Sequence, residues 1–224
     1  MSAPEIPTPL EELQRENELI ERLLERIEEI ALLLQNGKNV ALEEIAESLR
    51  LLDRYLGLHA QRMDHDLQPE ARRVAMPSCV PHLDRVIHDH GNASVRARDA
   101  LRALASYEDS SEASRRTFAD MIEELASRAH DTVVFEGDYP LSCLASALPD
   151  DAAARVYEQF VTSERELKDT EIGIERLLAR PLSESSAAPG EREPEDVRGR
   201  AEDLARGRSA NDRPIERGRA GVVR

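Results

Sequence analysis

Residues 10–34 read LEELQRENELIERLLERIEEIALLL. Leu10, Leu13, Ile20, Leu24, Ile27, Ala31 and Leu34 recur at steps of three and four with one wider gap, the spacing of side chains that share one face of a helix. Asn17 fills the gap between Leu13 and Ile20, a polar side chain in an apolar row. Thr8 is a suitable N-cap, Pro9 takes the first helical position, and Glu11 and Glu12 place negative charge where the helix dipole favours it. Gly37 closes the segment.

The same periodicity repeats down the chain. A second helix is expected from about Val40 to Asp64, with Ile45, Leu49, Leu52, Leu56 and Met63 on one side, broken by the proline-bearing stretch DLQPEARRVAMPSCVP at residues 66–81. A third starts near Pro81, carries Leu83, Val86, Ile87, Leu101 and Leu104, and ends near Tyr107. A fourth, capped by Asp109 or Ser110, carries Phe118, Met121, Ile122, Leu125, Ala129 and Val133 and stops near Gly137 and Pro140. Four amphipathic helices of matched length pack most simply as an up-down-up-down four-helix bundle. A fifth helix, from about 150 to 179, is expected to lie against its outside.

Composition agrees with an all-α fold. Hydrophobic residues make up 40% of the 224, aromatics only 3%, and Trp is absent, a mixture suited to helices rather than to sheet interiors. The domain reading is one helical bundle over 1–180, with its core at about 8–142, and a disordered charged tail over 181–224, where Gly, Pro, Ser and alternating charges replace large apolar residues. The formal charge is −15, and the tail holds nine acids and nine bases, so the whole excess falls on the bundle. Such a body repels nucleic acid and anionic lipid. Cys79 and Cys143 form no CxxC pair and read as two free thiols in a reducing compartment. With no signal core and no apolar run long enough to span a bilayer, the expectation is a cytoplasmic protein.

Each helix carries one nitrogen-bearing side chain on or near its apolar face. His59 continues the row Leu49, Leu52, Leu56, His59, Met63; His90 lies between Val86, Ile87 and Ser94; His130 sits at the edge of its arc, beyond Ala126 and beside Val134; Asn17 is the fourth. One such residue is ordinarily a hydrogen-bonded core group or a register device. Four suggest a shared interior site. HAQRMDHDLQP (59–69) and HDTVVFEGDYP (130–140) each place a proline ten residues after the histidine, so the chain reads as two helical hairpins with matching second halves.

This arrangement resembles the hemerythrin-like family of HHE cation-binding domains, whose helices carry in turn an acidic-His pair, a His-x-x-x-Glu ending in Leu-Phe-Pro, a second acidic-His pair and a second His-x-x-x-Glu ending in Phe-Pro. Glu16-Asn17, His59 with Pro69, Asp89-His90 and His130 with Tyr139-Pro140 hold those places here. The resemblance implies a four-helix bundle around a non-haem di-iron centre that binds or senses oxygen, nitric oxide or iron. Asn17 stands where the first histidine belongs, and Met63 and Val134 stand where the bridging glutamates belong. The metal ligands expected are therefore His59, His90 and His130, with Asp64, His65, Asp66, Asp131, Glu136 and Asp138 as neighbouring substitutes.

Three readings follow. One is a hemerythrin-like protein with an altered or lost di-iron site, facing oxygen or a metal ion. Another is a single zinc or iron ion on the three histidines. The third is a metal-free helical interaction module that meets a protein partner through its surface or tail. No nucleophile motif or phosphate-binding loop is present, and the expectation is a protein that is not an enzyme.

Overall fold

The computed structural model describes residues 8–74, 77–107 and 111–182. Helix α1 (Pro9–Gln35) opens with a reciprocal capping box: the Glu11 N–H donates to Thr8 Oγ1 at 3.2 Å, and the Thr8 N–H donates to the Glu11 carboxylate at 2.6 Å. It closes at Gly37, whose φ of +73° only glycine adopts readily. Helix α2 (Leu42–Arg62) returns alongside it.

The structure departs from the sequence reading at the end of α2. In place of an irregular loop, the helix widens into a π-turn at Met63–Leu67 and continues as the short α3 (Gln68–Arg73), with Pro69 in its first turn. The widened turn is where the helix accommodates a residue that has no N–H to donate. The second hairpin repeats the device. Helix α4 (Val80–Leu104) is followed by α5 (Glu112–Glu136), then a π-turn at Gly137–Leu141 that contains Pro140, then α6 (Ser142–Ala147). Ser111 caps α5 by accepting from the Ser114 N–H at 3.2 Å; Asp109 and Ser110, the caps expected, lie outside the described residues.

Helices α1, α2, α4 and α5 form the all-α bundle. Each packs on its neighbour in sequence, and α5 closes the ring against α1. Helix α7 (Asp150–Leu178) lies across α1 and α2. Gly173 permits the approach, since a Cβ there would stand 3.0 Å from Leu51 Cδ2. Arg22 pairs with Glu175 at 2.8 Å, the Tyr55 hydroxyl donates to Glu171 at 3.1 Å, and Arg26, itself paired with Glu44, donates to the Arg180 carbonyl at 2.8 Å. Beyond α7 the description ends at Leu182, which packs against the core, so the tail from 183 onward lies outside the described residues. No helix among the described residues is long and apolar enough to cross a membrane.

The core falls into two parts. The larger runs from Leu19 and Ile20 through Leu56, Ala93 and Val133 to the far end of the bundle; the smaller gathers Leu13, Met63, Val86, Leu141, Leu144 and Phe160 at the end where the π-turns lie. Between them lies a layer of polar side chains.

Cys79 and Cys143 are not free thiols. They form a disulfide with Cα atoms 5.8 Å apart, joining the start of α4 to α6. Antiparallel hairpins bring both proline-bearing ends to the same end of the bundle, so separation in sequence does not measure separation in space, and the inference of a reducing compartment loses its premise. The bond closes a loop with a sequence separation of 64; chain entropy then gives it about 4 kcal/mol of stability. Paired Cys79→Ser and Cys143→Ser substitutions are expected to lower the unfolding free energy in urea by roughly that amount, and a urea midpoint that does not move on reduction of the unsubstituted protein would contradict the bond.

Candidate metal centre

Four elements supply the polar layer at one height. Glu16 comes from the second turn of α1, His59 from the last turn of α2, His90 from the middle of α4 and Glu136 from the final position of α5. All four are fully buried. Charges placed this deep must be paired.

Glu136 is the hub. Its Oε2 lies 2.8 Å from His90 Nε2 and 3.2 Å from His59 Nε2, and the two imidazoles meet edge to face with centroids 4.9 Å apart. On its other side His59 Nδ1 lies 2.6 Å from Glu16 Oε2. A carboxylate only accepts, so His59 Nδ1 carries a hydrogen. The remaining Glu16 oxygen accepts from Arg62, whose guanidinium lies 3.9 Å from the centre of the Phe160 ring of α7. Four polar atoms in and beside the layer have no hydrogen-bond partner: Glu136 Oε1, His90 Nδ1, Asn17 Oδ1 and Arg62 Nε.

One donor atom from each of His59, His90 and Glu136 lies within 4.8 Å of the others, so this trio could hold a metal ion. The sequence-expected residues divide accordingly. His59 and His90 are brought together. His130 is exposed on α5, with Val134 beside it 46% exposed, and neither reaches the layer. Met63, one turn beyond His59, is buried in the smaller apolar cluster. Of the six substitutes, Glu136 alone enters the layer; His65, Asp131 and Asp138 are exposed, and Asp64 and Asp66 are partly so.

Two signals could have located the missing partners. Phe118, Ile122, Leu125, Ala129, Thr132 and Glu136 run at steps of four and three down α5, so Glu136 lies on the buried stripe although His130 does not. Thr132, four residues before Glu136, takes the place of a His-x-x-x-Glu histidine and returns its hydroxyl to the Arg128 carbonyl at 3.0 Å. In α1 the step from Leu13 to Ile20 is bridged by Glu16 as well as by Asn17, and Glu16 makes the ionic contact.

The hemerythrin HHE cation-binding domain matches residues 8–132. The chain belongs to this family. No curated protein and no solved structure matches it. Glu136 lies four residues past the end of the match, so this hemerythrin-domain protein completes its polar layer with a residue beyond the matched span.

A di-iron centre needs carboxylates that bridge two hard cations. Among the described residues the layer offers Glu136, with one oxygen unpartnered; both oxygens of Glu16 are committed, one to a permanently charged guanidinium. The donor set therefore fits one ion rather than two.

Charge in the layer is set by mutual pairing. Burial opposes a proton on His59, but the Glu136 charge and the bonds to Glu136 and Glu16 outweigh it and raise its pKa from 6.5 to about 10. Burial would raise the Glu136 carboxyl, yet the positive His59 and the bonds from both imidazoles hold it at about 2. Burial chiefly keeps His90 below its ordinary 6.5; the bond to Glu136 works against this and the neighbouring His59 charge reinforces it. The metal-free layer is thus a doubly paired imidazolium between two carboxylates, with a neutral His90 donating Nε2–H to Glu136.

For the metal-free protein the signs follow. The His59 contribution is complete below about pH 6.5 and lost as the pH rises through about 10, because the folded state holds a proton the unfolded chain has released. The Glu136 contribution is present above its ordinary 4.5 and lost toward about 2, and the neutral His90 costs stability as the pH falls below 6.5. Unfolding temperature measured with a chelator present should therefore peak near about pH 6.5, and His59→Gln should remove the alkaline fall. An alkaline limb that survives this substitution would contradict the assignment.

Proposed function

We propose that this hemerythrin-domain protein binds a single transition-metal ion through His59 Nε2, His90 Nε2 and Glu136, and that it binds or senses rather than catalyses. The observation that carries this reading is the Arg62 guanidinium on Glu16: a fixed positive charge stands in the layer where a second cation would need that carboxylate. Two imidazoles and one carboxylate with open positions suit non-haem iron(II), and the same set also suits zinc. When bound, the ion supplies a Lewis-acidic centre with room for a small ligand such as oxygen.

The protein's own groups have defined parts in this reading. Glu16 holds the His59 Nδ1–H, so Nε2 is the nitrogen left to face the ion beside Glu136, and the imidazole becomes a better donor. Glu136 offers Oε1, which has no other partner. A cation would take the place of the proton that His59 shares with Glu136, so uptake releases a proton, and the neutral His90 would carry its hydrogen on Nδ1 instead of Nε2. The complete burial of all three donors favours ligands of two or three atoms over an organic substrate.

Metal analysis of protein purified from iron-supplemented cells should give about one ion per chain. Two irons per chain would overturn the single-ion reading, and none after anaerobic loading with iron(II), or with zinc, would overturn metal binding itself. His90→Ala and Glu136→Gln should abolish stoichiometric loading, Glu16→Gln should weaken it about 10–100-fold, and His130→Ala should leave it unchanged.

A further inference from the structure

The Cys79–Cys143 bond joins the start of the helix that carries His90 to the segment that follows Glu136, and its two sulfurs differ in access. Cys79 is fully buried in the smaller apolar cluster, at the N-cap of α4, whereas Cys143, the second residue of α6, is partly exposed. An external thiolate therefore reaches Cys143, and the electron pair of the broken bond leaves on Cys79. There α4 has no acidic residue in its first turn, and the exposed Ser78 hydroxyl lies 4.0 Å from Cys79 Sγ and 3.8 Å from Cys143 Sγ. The positive helix end and a hydroxyl donor favour a thiolate at Cys79, against the burial that opposes it.

The other side of the bond leads to the polar layer. Between Glu136 and Cys143 lie only the π-turn Gly137–Leu141 and Ser142, whose hydroxyl donates to the Gly137 carbonyl at 2.9 Å. Helix α6 has six residues, too few to hold helical form alone. Burial of Leu141 and Leu144 keeps it in place together with the bond to Cys79. With the bond open, the apolar contacts alone hold the segment that begins next to Glu136, and local opening there becomes more frequent.

We propose that this bond is a redox-controlled clasp on the polar layer: a dithiol opens it at Cys143, and opening it loosens Glu136 from His59 and His90. The first thiolate of the dithiol bonds to Cys143 Sγ as the bond to Cys79 breaks and Cys79 leaves as a thiolate. The second thiolate then closes the dithiol's own disulfide and frees Cys143. Two protons from the dithiol complete the two protein thiols, so the dithiol is oxidised by two electrons and the protein is reduced by two. The clasp acts on the metal-free layer and stands without the metal reading; only its effect on metal affinity rests on that reading.

The metal-free full chain is incubated with an excess of reduced glutathione, quenched with iodoacetamide and mapped by mass spectrometry, with helicity followed by circular dichroism. Glutathione should appear on Cys143 and the alkyl group on Cys79, with helicity unchanged. A bond that opens only in denaturant, or only with loss of helicity, overturns the clasp, and glutathione on Cys79 overturns the direction of attack. The His59 and His90 ring-nitrogen resonances should shift on full reduction with dithiothreitol, and Cys143→Ser should show the same shift without reductant. Resonances that stay in place on reduction overturn the link to Glu136. Zinc should bind Cys143→Ser about tenfold more weakly than the oxidised parent. Equal zinc binding by the two overturns the effect on metal affinity, whereas no binding by either overturns the metal reading and leaves the ring-nitrogen shifts to decide the clasp.

Discussion

A carboxylate cannot be placed in the middle of a helical bundle without positive partners, and the Glu136 contact with His59 and His90 answers that constraint. The other polar positions follow from it. His59, drawn positive by Glu136, needs an acceptor behind it and finds Glu16; Glu16, with one oxygen left, needs a donor and finds Arg62; Arg62 needs a surface for its planar face and finds Phe160. Five helices are tied together by this one chain of charge: α1, α2, α4, α5 and α7. The pairing does not add stability in proportion to its contacts, because desolvation offsets much of the attraction. It specifies which side chains meet, and at what height.

Most of the fold was legible in the sequence because it rests on helical periodicity and capping. The stripe of α1, the Thr8 cap, the Gly37 stop and the four-helix count are local signals, and the family resemblance drew on the same residues. The ends of the hairpins were not legible in this way. Pro69 and Pro140 normally stop helices, and the bond pattern by which a π-turn carries a helix past proline leaves no mark in composition. Cys79 and Cys143 were misread because their proximity is set by the antiparallel return of α4 and α5.

The site was legible by half. His59 and His90 lie on rows that continue the apolar stripe, and the rows point where the side chains go. His130 was favoured because its distance to Pro140 equals that from His59 to Pro69, but the two π-turns start at different distances before their prolines, Met63 six residues before Pro69 and Gly137 three before Pro140. Equal spacing to the proline therefore does not mean equal facing. Arg62, three residues after His59, shares its face, yet a long cationic side chain at a helix end reads as solvent-facing unless the buried acid that holds it is known.

The hemerythrin-domain match ends at residue 132, while Glu136 and the Phe160 ring that backs Arg62 both come later in the chain. The matched span thus contains the imidazoles, the first carboxylate and the guanidinium, while the counter-anion and the aromatic ring follow it. A segment cut at residue 132 would carry the imidazole pair without the anion that neutralises it. A fragment made to study the polar layer therefore has to run past Glu136 to keep its charge balanced, and through α7 if Arg62 is to keep the ring behind it.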